Sequence, residues 1–366
     1  MTRFCLLTLL TLASNKCSAS YDDIEILISQ KTDRRHNKDT LRVVSLNAEY
    51  LMYDISEGCQ KSWRGCPWKN ASEALRHLQN VSDTLAVYDA DIIFLNEVHS
   101  LFELEKLIER LPEGYSPYLI AGTDHITGQN VGLLTKIDPM KEIYRSDERE
   151  KFPVINSTCN YFGDGGDEGV SKNLIMEVDV GNGVKIVFIA AHLLSRPKEV
   201  DRCAMREAQA KVIRRAVDDI SKTTEPREIV LLGDFNDFDD AVLDVQGNVP
   251  LSSALRIMKG THGQADEPSG VVLHNLAECV EIERRYSSFY DKEKKCVLNG
   301  VNELYLIDHI LVSERLREAV HSVRIDHSYG PTESRHECVD DEDYVSDHWP
   351  LIVDFDLRKL GLVKVE

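Results

Sequence analysis

The chain has no surplus of basic side chains. Lys and Arg number 43 against 62 Asp and Glu, a formal net charge of −19 over 366 residues. That excludes a passive coat held on nucleic acid by bulk positive charge. It leaves room for an enzyme that meets phosphates through a metal ion, because the ion brings its own charge. Beyond residue 20 no apolar run approaches the roughly 18 residues that a spanning helix needs, so no stable membrane insertion is expected. No Cys-x-x-Cys pair and no His/Cys cluster of zinc spacing occurs, which argues against structural zinc. Gly-x-Ser-x-Gly and P-loop patterns are absent too, so covalent serine catalysis and nucleotide-triphosphate switching lack support. There is no Pro/Ser linker, repeat or low-complexity tract. Apolar (42%), charged (29%) and aromatic (7%) fractions sit near the globular average and exclude collagen-like, disordered and coiled-coil chains.

What is present begins with a leader. Met1-Thr2-Arg3 is a short basic start, Phe4 to Ala13 is nearly all Leu, Thr and Ala, and small residues stand around Ala19 and Ser20. This predicts a secretory signal over 1–20 and a secreted, extracellular protein. A loose, polar lead-in over 21–40, one catalytic domain over 41–358 and a tail over 359–366 complete the parse. Removal of the leader takes Cys5 and Cys17 and leaves Cys59, Cys66, Cys159, Cys203, Cys279, Cys296 and Cys338. An oxidising compartment makes disulfides the expectation, with connectivity open and an odd thiol over. Asn70, Asn80 and Asn156 open Asn-x-Ser/Thr sequons, acceptors for glycans in a eukaryotic host. No obligate protein partner is expected.

Helices are predicted over 72–88, 100–110 and 202–221; in the last, Ala204, Ala208, Val212, Ala216 and Ile220 recur every four residues. The strands carry more information. Val43 to Leu46 runs into Asn47, Ile92 to Leu95 into Asn96-Glu97, and Val187 to Ala191 into His192. Ile229 to Gly233 runs into Asp234-Phe235-Asn236, and Leu304 to Ile307 into Asp308-His309. Ser346-Asp347-His348 stands just before a strand over Leu351 to Phe355. Any one Asn or Asp after a strand is commonly a turn former. Glu97 is equally a cap for the helix opened by Ser100, and His192 equally a satisfied core histidine. Taken together, the residues supply matching parts for one reaction, and strand ends collecting at one rim are where such sites form.

Asn47, Glu97 and Asp347 offer hard oxygen ligands, suited to Mg²⁺, Mn²⁺ or Ca²⁺. His192 and His348 exchange protons near neutral pH, and Asp308 can fix the tautomer of one of them. Asp234 and Asn236, on one tight turn, both reach a small central group. Phosphodiester hydrolysis needs a Lewis acid, an activated water, neutralised charge on phosphorus and a protonated leaving oxygen.

The ordered set Leu46-Asn47, Asn96-Glu97-Val98, Ala191-His192-Leu193, Gly233-Asp234-Phe235-Asn236, Ile307-Asp308-His309 and Ser346-Asp347-His348-Trp349-Pro350 resembles the endonuclease/exonuclease/phosphatase superfamily over about 41–356. Arg285 to Tyr290, and His192 to Arg196 with the helix positions 206–209, resemble its secreted nuclease members. The resemblance implies an α/β (α+β) class: a four-layer α/β/β/α sandwich, two mixed sheets face to face with helices outside. It implies that Asn47 and Glu97 bind the metal with Asp347 near it, and offers Glu49 as a supporting ligand. It makes His348 the general base oriented by Asp308, has His192 stabilise the phosphoryl oxygen, and has Asp234 and Asn236 position water and phosphate. The deoxyribonuclease branch pairs its first histidine with a glutamate where this chain aligns Gln129. A neutral amide cannot stabilise an imidazolium, so His192 is read as a hydrogen-bond donor rather than a general acid. Lys172 and Arg285 are candidate phosphate contacts.

The expected function is a secreted, divalent-metal-dependent phosphodiesterase acting on nucleic acid, DNA or RNA. A phospholipid (sphingomyelinase-like) or small phosphoester hydrolase is the first alternative, with Trp63 and Trp68 as candidate bilayer aromatics. A non-catalytic binding member of the same fold is the second.

Overall fold

The computed structural model describes residues 32–53, 68, 70–262, 270–290, 303–329 and 343–361. Its strands are β1 (Thr40–Leu51), β2 (Ile92–Val98), β3 (Ser116–Leu119), β4 (Asn130–Thr135), β5 (Arg149–Phe152), β6 (Gly166–Gly169), β7 (Lys172–Asp179), β8 (Lys185–His192), β9 (Glu228–Asp234), β10 (His274–Asn275), β11 (Ser288–Phe289), β12 (Leu304–Tyr305), β13 (Asp308–Val312), β14 (Val320–Ile325) and β15 (Leu351–Asp356). The helices are α1 (Ala71–Tyr88), α2 (Leu101–Ile108), α3 (Val200–Ser221), α4 (Ala254–Lys259) and α5 (Glu314–Ala319). A six-stranded sheet in the order β14-β15-β1-β2-β4-β3 faces a five-stranded sheet in the order β10-β13-β9-β8-β7.

The continuous apolar runs follow from this layering. In β1 and β2, Val43, Ile92 and Phe94 pack between the sheets, while Val44, Leu46, Ile93 and Leu95 pack under α1 and α2. In β8 and β9, Ile186, Phe188, Ala190, Val230 and Leu232 point inward, while Val187, Ile189, Ile229 and Leu231 meet Ala208, Val212 and Val217 of α3. A strand covered on both faces needs apolar residues at successive positions. Phe94 and Phe188 meet across the sandwich with ring centroids 5.5 Å apart.

The predicted helices form close to their expected ends. Asn70 caps α1 by accepting from Ser72 and Glu73 N–H. Ser100 and Glu103 form a capping box on α2, so Glu97 is released from any capping role.

Two expectations are corrected. Leu304 to Ile307 is not a strand ending at Asp308: Leu304–Tyr305 pairs only with β11, and the sheet strand starts at Asp308. The reason is direction. β13 runs antiparallel to β9 with Asp308 opposite Asp234, so the rim that β9 reaches at its end is the one β13 leaves at its start. The lead-in is also tied down where described. The Arg35 guanidinium is buried and donates to Asp33, to the Thr40 carbonyl at 2.8 Å and to the Val180 carbonyl at 2.8 Å. In the tail, Leu360 is buried and its carbonyl accepts from Arg315 at 2.8 Å.

Cys159 is bonded to Cys203, tying the β5–β6 loop to α3, and Cys279 is an exposed free thiol. The expected signal over 1–20, and Cys59, Trp63, Cys66, Cys296 and Cys338, lie outside the described residues. Among the described residues no helix is long and apolar enough to cross a membrane.

Candidate active site

One rim of the sandwich gathers the ends of β1, β2, β8 and β9 and the starts of β13 and of the segment before β15. The backbone there departs from regular strand. β1 is irregular between Asn47 and Leu51, and β2 between Leu95 and Val98. Glu49, Tyr50, Glu97 and Asn236 take left-handed φ of 44°, 48°, 66° and 49°. Each costs about 1–3 kcal/mol, a strain that concentrates at functional sites. At Gly233 (φ 129°) an added Cβ would lie 2.1 Å from the Ala191 carbonyl oxygen, which is why glycine opens the Gly-Asp-Phe-Asn turn.

Those kinks aim side chains at one another. Asn47 Nδ2 donates to Glu97 Oε1 at 3.2 Å and to Asp234 Oδ2 at 3.0 Å, and its Oδ1 accepts from Glu49 N at 3.0 Å. Glu97 Oε2 accepts from Tyr50 N at 3.0 Å and from Gln129 Nε2 at 2.6 Å. His192 Nε2 lies 3.5 Å from Asp234 Oδ2 and 4.0 Å from Glu97 Oε1. The Asp234 N–H donates to Asn96 Oδ1 and its Oδ1 accepts from Asn236 N. Asn236 Nδ2 donates to the Leu193 carbonyl, tying this turn to the residue after His192. Asp308 Oδ2 accepts from His348 Nδ1 at 2.7 Å and from Ser287 Oγ at 2.8 Å. Ligand atoms of Asp234, Asp308 and His348 lie within 4.8 Å of one another. Asp347 Oδ1 stands 3.8 Å from His348 Nε2.

The loops beneath are pinned by one arginine. Arg206 is fully buried on α3, pairs with Asp237 at 3.0 Å, and donates to the carbonyls of Leu194, Ser195, Arg196 and Pro197. It thereby fixes the chain after His192 to the chain after Asn236. Gln209 adds an acceptor for Leu194 N at 2.9 Å.

The site holds uncompensated negative charge. Burial raises the Asp234 carboxyl above the usual range, and Asp308 beside it adds to the shift. Burial, then Asp347, drives Glu49 up as well. Burial pulls the His348 imidazole down, but Asp308, Asp347 and Asp234 outweigh it and hold His348 well above its ordinary value. His192 goes the other way: burial, then Lys172 and His348, keep it well below its ordinary value and neutral. Its Nδ1 and the Oδ1 of Asp308 are buried without a partner. Five acids (Glu49, Glu97, Asp234, Asp308 and Asp347) crowded around an amide and two imidazoles are a hard-oxygen donor set. Crowding that raises carboxyl pKa values is the environment a divalent cation relieves, so the residues fit Mg²⁺, Mn²⁺ or Ca²⁺.

The structure thus brings Asn47, Glu49, Glu97, His192, Asp234, Asn236, Asp308, Asp347 and His348 to one place. Lys172 is at the edge, its Nζ 3.4 Å from Gln129 Oε1 and 3.5 Å from Asp124 Oδ2. Arg285 is corrected: its guanidinium is spent on the carbonyls of Leu243, Glu278 and Val280, a staple across a turn rather than a phosphate contact. Trp68 is corrected too, being buried at 8% exposure and stacked on His77, so it is no bilayer aromatic. Gln129 does not touch the imidazole; it donates to Glu97. Sequence reasoning gave Asn96 and Ser287 no role, although both stood inside the motifs, because a donor to a backbone or a carboxylate has no spacing signature.

The family model described as "Endonuclease/Exonuclease/phosphatase family" matches residues 64–348. No curated protein matches the chain in sequence. Among solved structures, C. elegans TDP2 is similar at 15% identity and TM-score 0.50, covering 92% of this chain and 82% of that one. The human nocturnin catalytic domain with bound sulfate anion is 14% identical at TM-score 0.47, covering 87% and 94%. D. rerio TDP2 complexed with single strand DNA product is 17% identical at TM-score 0.47, covering 86% and 98%.

Proposed function

This chain belongs to the endonuclease/exonuclease/phosphatase family, and from that premise we propose that it is a secreted, divalent-cation-dependent phosphodiesterase whose substrate is a nucleic acid, DNA or RNA. The observation that carries the reading is the meeting of Asp234, Asp308 and His348 within 4.8 Å, beside Asn47 and Glu97.

Each residue has a task set by its contacts. Glu97, Asn47 and Asp347, with Glu49 in support, would hold the cation, which when bound acts as a Lewis acid on the phosphoryl oxygen. Asp308 accepts from His348 Nδ1 and so leaves Nε2 as the basic nitrogen. In the unprotonated ring, which the surrounding acids make the minority form until their charge is offset, that nitrogen takes a proton from water as its oxygen bonds to phosphorus. His192, neutral and buried, donates from Nε2 toward the non-bridging oxygens, where charge develops. Asp234 and Asn236, locked together by the turn, position water and phosphate. The bond from phosphorus to the leaving oxygen breaks, that oxygen takes its proton from solvent water, and the proton held on His348 Nε2 passes to solvent.

Secretion is supported by the leader-like pattern over 1–20 and by the Cys159–Cys203 disulfide, at home in an oxidising compartment. Burial of Trp68 weakens the lipid reading, which had named it. The test is cleavage of plasmid DNA and of RNA by the purified protein with Mg²⁺. EDTA, His192→Ala and His348→Ala should each abolish it. Absence of EDTA-sensitive cleavage of both polymers contradicts the nuclease reading.

A further inference from the structure

The two left-handed residues of β1, Glu49 and Tyr50, need something to hold them. Neither glycine nor asparagine stands there, so the kink persists only if its surroundings over-determine it. Two side chains outside the family motifs do this. Trp68 Nε1 donates to the Tyr50 carbonyl at 2.8 Å. The N–H of the same Tyr50 donates to Glu97 Oε2 at 3.0 Å. The Tyr344 hydroxyl donates to Glu49 Oε2, while Glu49 N donates to Asn47 Oδ1 at 3.0 Å. Trp68 therefore reaches Glu97, and Tyr344 reaches Asn47, each through one residue of the kink.

Both are themselves anchored on α1. Trp68 stacks on His77 with ring centroids 4.2 Å apart, just before the helix cap at Asn70. His77 Nε2 donates to the Val345 carbonyl at 2.8 Å, and Asn80 Nδ2 donates to the Tyr344 carbonyl at 2.9 Å. One face of α1 thus grips both the kink of β1 and the chain that leads into Ser346, Asp347 and His348. Ser346 Oγ closes the loop by donating to the Asn47 carbonyl at 2.7 Å.

We propose that Trp68 and Tyr344 are positioning residues for the cation site, clamping Glu49 and Tyr50 so that the Glu97 carboxylate and the Asn47 amide that they hydrogen-bond are held in place before the cation binds. The proposal rests on the cation-dependent reading above. Groups that orient ligands without touching the ion commonly change affinity when removed, and here the orienting groups act through a strained backbone.

The test uses the purified full chain, two conservative variants and Mn²⁺ as probe. Trp68→Phe keeps an aromatic ring beside His77 and removes the indole N–H with part of the ring; Tyr344→Phe removes only the hydroxyl. Calorimetric titration should show the Mn²⁺ Kd rising about 10-fold or more in each variant, with the metal-free melting temperature little changed. A lowered melting temperature with an unchanged Kd would make both residues parts of the fold only and overturn the proposal. Wild-type binding with both variants unaltered overturns it while leaving the phosphodiesterase reading intact. A wild-type chain that binds no Mn²⁺ overturns the two together.

Discussion

Asp308 and His348 lie 40 residues apart in sequence, yet Asp308 Oδ2 and His348 Nδ1 meet at 2.7 Å in a buried contact. Ser287 Oγ fixes the same carboxylate oxygen from the other side. Asp308→Asn keeps the shape but offers an amide that can present its N–H to the ring and favour the wrong tautomer. Turnover on a phosphodiester should fall by about 10²-fold or more, the usual weight of a positioned base, with KM little altered. Steady-state kinetics of Asp308→Asn and His348→Ala check this; two variants that retain wild-type turnover would remove the dyad from the chemistry.

Arg206 should be as costly to lose as any residue outside the site. Replacing it with Met leaves the Asp237 carboxylate buried without its counter-ion, held by Ser252 Oγ and Phe238 N–H, and frees four carbonyls that hold the loop after His192. Breaking one partner of a buried pair costs about 3–5 kcal/mol. Denaturant unfolding of Arg206→Met should show a loss of that size.

Acid should weaken the fold through His77. Burial holds its pKa at about 4, below the ordinary 6.5. The folded state then binds fewer protons than the unfolded one, so the contribution of His77 is whole above pH 6.5 and is lost as pH falls toward 4. The full shift corresponds to at most about 3 kcal/mol. Unfolding free energies of wild type and His77→Gln between pH 7 and 4.5 should differ in slope, the variant falling less steeply.

The Cys159–Cys203 bond spans 44 residues. Its removal in a Cys159→Ser/Cys203→Ser variant should cost about 2–4 kcal/mol, read as a lower unfolding midpoint. Activity per folded molecule should persist, since neither cysteine contacts the site residues.

Much of the site was readable because each part sits where an apolar strand meets a polar residue. Asn47, Glu97, His192 and Asp234 follow that rule, and the resemblance supplied their company. The rule misread Asp308 because it assumes strands that end at the rim, whereas an antiparallel strand begins there. Arg285 misled because an arginine's charge is visible in sequence but its carbonyl partners are not. Gln129, aligned with the branch's glutamate, stands one residue before β4, and its partner proved to be Glu97. Trp68 and Tyr344 were illegible as a pair, since a clamp on a kinked backbone depends on a conformation that no spacing announces.

The central claim is that these scattered residues hold one divalent cation and hydrolyse a phosphodiester. It is tested most directly by following plasmid and RNA cleavage while Mg²⁺ is titrated into the EDTA-treated protein, with Glu97→Gln alongside. Cleavage that rises with Mg²⁺ in the wild type, and needs much more Mg²⁺ or fails in Glu97→Gln, is the predicted result. Cleavage that ignores EDTA, or a Glu97→Gln protein that responds to Mg²⁺ as the wild type does, would contradict it.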